Sequence, residues 1–130
     1  MPKIVITYGT FDLFHFGHLR LLRKAKSLGD ILIVALSTEE FNKTKGKISV
    51  IPFVERKEIL EGLKCVDKVV QENCWEQKKS DIEKYKIDVL AMGDDWTGAF
   101  DYLQPLCEVV YLARTKNVST SSIKKRIRNF

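Results

Sequence analysis

Two histidines, His15 and His18, are the only imidazoles in the chain, and they stand three residues apart. They fall in Gly9-Thr10-Phe11-Asp12-Leu13-Phe14-His15-Phe16-Gly17-His18, between a β-branched run and an amphipathic stretch. A spacing of three puts both rings on one side of a helical turn. A helix start presents free N–H groups that favour phosphate. Two imidazoles there suit the stabilisation of charge growing on a phosphate in a transition state. Gly17 removes a side chain between them and lets a ligand approach the backbone.

Three further segments carry chemistry of the same kind. Arg114-Thr115-Lys116-Asn117-Val118-Ser119-Thr120 follows the last apolar run and enters the last helical pattern. Ser119 or Thr120 can cap that helix, Arg114 offers a two-pronged fork to phosphate, and Asn117 suits a left-handed turn. Lys45 and Lys47 lie two apart in a long lysine-rich stretch. They could close over phosphates as a lid. Gly93-Asp94-Asp95-Trp96 could offer a carboxylate and an aromatic ring to a base with an exocyclic amino group.

These segments need a scaffold that gathers them. Buried strands are expected at 4–8, 31–36, 66–70, 87–92 and 108–112 from their apolar, β-branched runs. Helices are expected at about 17–28, from Pro52 onward, at 76–85 and from near Ser119, with a helical turn at 98–103. Residues 37–51 read as a loop with at most one helical turn. Alternating strands and helices define an α/β fold, a single Rossmann-like domain over residues 1–130. Its five-stranded parallel sheet should carry helices on both faces. Such sheets bind ligands beyond the carboxyl ends of their strands, where all four segments fall.

Composition narrows the class of partner. The net charge of +5 suits an anionic ligand. The basic residues are dispersed, and Lys124, Lys125, Arg126 and Arg128 read as the exposed face of a last helix, so no nucleic-acid partner is expected. Three cysteines without C-x-x-C spacing argue against a disulfide framework, a zinc site or a redox role. No apolar run approaches the ~20 residues of a membrane span, and the first residues run straight into a strand, so the expected location is cytoplasmic.

The paired motifs, His15-Phe16-Gly17-His18 after Gly9-Thr10-Phe11-Asp12 and Arg114-Thr115-x-x-Val118-Ser119-Thr120, resemble those of the cytidylyltransferase family. The similarity extends over nearly the whole chain, including Trp75-Glu76-Gln77-Lys78-Lys79 and Met92-Gly93-Asp94-Asp95-Trp96. The resemblance implies transfer of CMP from CTP to sn-glycerol 3-phosphate by direct in-line attack, giving CDP-glycerol and pyrophosphate. It implies Mg²⁺ brought with the nucleotide, a homodimer, and a product used for teichoic acids or capsules. His15 and His18 would steady the pentavalent phosphorus and the leaving pyrophosphate. Arg114, Ser119 and Thr120 would hold the β- and γ-phosphates, and Asp95 would face cytosine. Lys45 and Lys47 would bridge acceptor and triphosphate. Thr10, Phe11, Phe16, Gly17, Thr115, Lys116, Asn117, Val118 and Ser121 complete the implied CTP site. Asp12, Lys45, Arg56, Lys64 and Lys78 form the implied acceptor site. Lys64 and Asn117 depart from the family pattern, which has arginine and glycine there, and Lys64 would lie near the acceptor's phosphate or across the dimer contact. An ammonium lacks the guanidinium's fork, and asparagine tolerates a left-handed backbone. Other acceptors stay open: ethanolamine phosphate, phosphocholine, another polyol phosphate, or FMN with ATP. So does a nucleotide-sensing module without catalysis, which would have no need of both imidazoles.

Overall fold

The computed structural model describes residues 1–116 and 118–129. Five strands form one parallel sheet: β1 Ile4–Gly9, β2 Ile31–Ser37, β3 Lys68–Glu72, β4 Val89–Gly93 and β5 Glu108–Leu112. Their order is β3-β2-β1-β4-β5, so the chain starts at the centre, builds one edge, and crosses back to build the other. The reversal falls between β1 and β4. There the loops leaving the two strands diverge and open a crevice at the carboxyl end of the sheet.

The helices are α1 Phe16–Ser27, α2 Glu39–Thr44, α3 Phe53–Glu61, α4 Gln77–Lys84 and α5 Thr120–Arg128. Strand alternation divides the core in two. Val5, Leu32, Val34, Leu36, Val89 and Ala91 pack on one face with Leu22 and Ala25 of α1 and Leu60 of α3. Ile6, Tyr8, Ile33, Ala35, Leu90 and Met92 pack on the other with Ile82 of α4, Phe100 and Leu103. Both faces of the sheet are covered, which is why the strands read as unbroken apolar runs.

The strand expected at 87–92 runs from Val89 to Gly93, and three further details differ from the sequence reading. Residues 37–51 contain a two-turn helix, α2, capped by Thr38, whose side chain accepts from Phe41 N, with Glu39 and Glu40 in its first turn. The expected strand 66–70 begins two residues later, because Asp67 turns its carboxylate onto Leu32 N and Lys26. That shift brings Glu72 to the strand's carboxyl end. In α3 side-chain type does not decide burial: Val54 and Ile59 face outward, while Arg56 and Leu60 are buried. Among the described residues no helix is long and apolar enough to cross a membrane.

Candidate active site

The turn after β1 is held in an unusual conformation. Phe11 and Leu13 both have left-handed backbones, with φ of 51° and 49°. Non-glycine residues rarely adopt that region unless their surroundings fix them. Asp12 does much of the fixing. Its carboxylate accepts from Leu13 N at 3.1 Å, Ile51 N at 2.9 Å and Val50 N at 2.8 Å. Its carbonyl accepts from Thr120 Oγ1 at 2.8 Å. One residue thus joins the β1 turn, the segment before α3 and the start of α5.

His15 caps α1. Its Nδ1 accepts from Gly17 N and His18 N, and His18 Nδ1 accepts in return from His15 N. A ring nitrogen that accepts an N–H carries no proton, so in each neutral ring the proton lies on Nε2. Burial, helped by neighbouring His15, pushes His18 down to about 3. Burial and the nearby Arg114 lower His15 as well. Both rings are therefore neutral near pH 7 and offer an Nε2–H donor each. The rings stack, and Phe11 and Phe14 pack on His18 with centroids 5.3 Å away. A Cβ on Gly17 would come within 2.9 Å of His15 Cε1. The glycine is required by the capping imidazole itself.

The segment after β5 forms the facing wall. Ser119 caps α5, accepting from Ser122 N and donating its own N–H to Ser122 Oγ. Arg114 Nη1 pairs with Asp95 Oδ2 at 3.2 Å, both half-exposed at the carboxyl ends of β5 and β4.

Lysines line the third side. Lys45 ends α2, and Gly46, at φ 72°, turns the chain so that Lys47 follows at the rim. Lys45 Nζ donates to Ser37 Oγ, which donates to the buried Asn42 Oδ1. Burial lowers the pKa of Lys45. Lys78 is almost wholly buried and pairs with Glu72 Oε2 at 3.2 Å. Its ammonium sits over the rings of Tyr8, Phe100 and Trp75, at 4.5, 5.0 and 5.2 Å from their centroids.

These walls enclose two communicating hollows, of about 610 and 240 Å³, that share Thr10, Phe11, His18, Asp95, Arg114, Ser119 and Thr120. His15, Gly17, Thr115 and Val118 belong to the smaller lobe alone. Asp12, Lys45, Lys47, Glu72, Lys78, Ser121 and Lys124 belong to the larger lobe alone. Most of the expected residues therefore converge.

Four do not. Arg56 lines neither hollow; its guanidinium is consumed by the carbonyls of Thr10, Ser37 and Ile51 and by Glu39, so it braces the cleft floor. Phe16 faces away under Arg20, and exposed Lys116 lines neither hollow. Lys64 is exposed in the turn before β3, at the amino ends of the strands and so opposite the cleft. Asn117 lies outside the described residues. Several lining residues escaped the sequence reading: Tyr8, Glu72, Phe100 and Lys124, the last lining the cleft rather than the exposed face expected of it. Strand parity could have signalled Tyr8 alone, since the strand expected at 66–70 ends short of Glu72.

An α/β sheet with a crevice at its switch point, a histidine-capped helix and a facing serine-capped helix start define a nucleotidyltransferase-type centre. The chain belongs to the cytidylyltransferase-like family, whose model matches residues 6–126. It is 57% identical over 125 residues to glycerol-3-phosphate cytidylyltransferase of Bacillus subtilis (strain 168), covering 96% of this chain and 97% of that protein. It is 53% identical over 125 residues to glycerol-3-phosphate cytidylyltransferase of Staphylococcus aureus (strain NCTC 8325 / PS 47), covering 96% and 95%. In fold it resembles the crystal structure of a lipopolysaccharide core biosynthesis protein from Thermoplasma volcanium GSS1, with a TM-score of 0.78 over 89% of this chain and all of that one, at 23% identity.

Proposed function

We propose that this chain is a glycerol-3-phosphate cytidylyltransferase, converting CTP and sn-glycerol 3-phosphate to CDP-glycerol and pyrophosphate. The observation that carries the reading is the pair of neutral Nε2–H donors, His15 and His18, set against Arg114 and the start of α5 across one cleft. The near full-length similarity to two proteins of that name supports the choice of acceptor.

In this reading an oxygen of the acceptor's phosphate attacks the α-phosphorus of CTP. The bond from that phosphorus to the bridging oxygen of the β-phosphate breaks, and pyrophosphate leaves with the electron pair. His15 and His18 donate to oxygens whose charge grows as this happens, without carrying charge themselves. Arg114, Ser119 and Thr120 hold the β- and γ-phosphates. Lys45 and Lys47 draw the two anionic substrates together, and aligning them lowers the entropic barrier. Asp95 accepts from the cytosine amino group once Arg114 has moved to the triphosphate.

Among the described residues no three histidine, cysteine or acidic side chains converge as a metal cage. Both Nδ1 atoms are taken by backbone N–H groups, and Asp12 is engaged by three more. The protein's own donor set does not fit a resident metal. Mg²⁺ is assigned to the nucleotide's phosphates, whose oxygens suit it.

A homodimer is part of the same reading. Ile48, Val50, Val54 and Ile59 are 85%, 57%, 73% and 43% exposed along one stretch of chain ending in α3, an apolar surface that a second copy would cover. A cytoplasmic location and supply of surface-polymer synthesis follow from the proposed product. Pyrophosphate release with CTP and a panel of acceptors tests the reading: release should need sn-glycerol 3-phosphate, and release with none of the acceptors refutes it.

A further inference from the structure

The larger lobe has an end that the triphosphate does not explain. His15, Thr115 and Val118 line only the smaller lobe, whereas Glu72, Lys45 and Lys78 line only the larger one. Glu72 lies in the larger lobe alone, apart from His15, Thr115 and Val118, on the side of the cleft left to the acceptor. Its side chain is 3% exposed, and Oε2 is held by Lys78. Its other oxygen, Oε1, has no hydrogen-bond partner among the described residues and is not sealed off from the cleft, unlike Thr7 Oγ1. The Tyr8 hydroxyl donates its proton to Asp81 Oδ2, and Trp75 and Phe100, which line the same lobe, carry no hydrogen-bond acceptor in their side chains.

We infer that Glu72 is the residue that reads the acceptor's free hydroxyl groups, with Oε1 accepting their O–H while Lys45 faces the phosphate. The inference rests on the functional reading above and assigns to that site its selectivity for a hydroxylated phosphate ester. Lys78 fixes the carboxylate through Oε2; burial raises the Glu72 pKa, and the neighbouring ammonium opposes the rise. A phosphate ester without hydroxyls would leave Oε1 desolvated and unpaired, which is the strongest form of rejection available to a polar pocket.

The test compares sn-glycerol 3-phosphate with 1-propyl phosphate, which keeps the chain length and phosphate but lacks both hydroxyls. Wild-type protein should prefer the first by about a hundredfold or more in kcat/KM. Glu72→Gln should narrow that preference by about tenfold, mainly through the KM of glycerol 3-phosphate, with the KM for CTP unchanged. A wild-type preference near one overturns the inference without any variant, so poor folding of Glu72→Gln does not shelter it. An unchanged preference in Glu72→Gln, with both acceptors weakened alike, also overturns it and leaves Glu72 as an anchor for Lys78. Absence of pyrophosphate with glycerol 3-phosphate refutes the functional reading instead.

Discussion

The imidazoles of His15 and His18 stack 3.7 Å apart at an interplanar angle of 19°, each accepting through Nδ1 a backbone N–H of the other. The same two contacts cap α1, fix both tautomers and free both Nε2–H groups for a ligand. Capping and chemistry therefore share side chains, and substitutions can separate them. His15→Ala and His18→Ala should each lower turnover by about 10²–10³, the usual effect of losing one transition-state donor. Each should also lose about 1 kcal/mol of stability with the cap. His15→Asn keeps a capping oxygen, so it should recover most of the stability and little of the turnover. Thermal melts beside steady-state rates check this, and near-normal turnover in either alanine variant refutes the assignment.

Gly17→Ala tests the geometry without touching either ring. The added methyl would displace the His15 imidazole, since an ideal Cβ lies 2.9 Å from Cε1 and 3.0 Å from Nδ1. Turnover should fall by at least about tenfold, as expected when a transition-state donor is misplaced by a fraction of an ångström. CTP affinity should change far less. Unaltered turnover would mean that the rings need not be held where they are.

The histidines also set a pH dependence whose sign is fixed. Their folded pKa values lie below the unfolded 6.5, reaching about 3 for His18. Above pH 6.5 the rings are neutral in both states and contribute no pH dependence. As pH falls from 6.5 toward 3, the unfolded chain takes up protons that the folded chain refuses, so stability declines. His18→Asn should flatten the fall of Tm between pH 6.5 and 4. Turnover should show no inflection near 6.5. A rise in turnover on protonation near that pH would contradict the neutral-donor account.

Much of this was legible in the chain. Five apolar runs gave the parallel sheet, because strands covered on both faces leave no polar alternation to misread. The His15–His18 spacing and the Arg114–Thr120 segment gave two walls of the cleft. What stayed hidden were residues whose role depends on packing. Arg56 occupies an apolar slot on α3 and spends its donors on three carbonyls, so its charge says nothing about ligands. Lys64 sits at the wrong end of the strand, which a motif cannot reveal. Glu72 became a site residue only when Asp67 delayed the start of β3. The helix α2 was concealed by its shortness and by the length of the polar stretch around it.

Asp12 makes a structural prediction. Its carboxylate serves three backbone N–H groups, and asparagine would leave only one oxygen to accept. Asp12→Asn should cost about 1–3 kcal/mol, the penalty for a buried donor left unsatisfied. It should also loosen the segment that carries Lys47. Hydrogen exchange at Val50 and Ile51 should accelerate with the loss of Tm. Unchanged protection at both amides would contradict the role given to the carboxylate.

Asp95 pairs with Arg114, and in the proposed function the first faces the base while the second holds the phosphates. Cytosine presents an amino donor where uracil presents an oxygen. Asp95→Ala should narrow the preference for CTP over UTP, measured as a ratio of kcat/KM. A ratio that stays constant while both KM values rise alike would show that Asp95 acts only by placing Arg114.

The most direct measurement is product analysis after mixing the protein with CTP, Mg²⁺ and sn-glycerol 3-phosphate, in parallel with His18→Ala protein that still binds CTP. The account predicts CDP-glycerol and pyrophosphate in equal amounts from the wild type, and slower formation of both by about 10²–10³ in the variant. Absence of CDP-glycerol from the wild type, or equal rates from the two proteins, would contradict it.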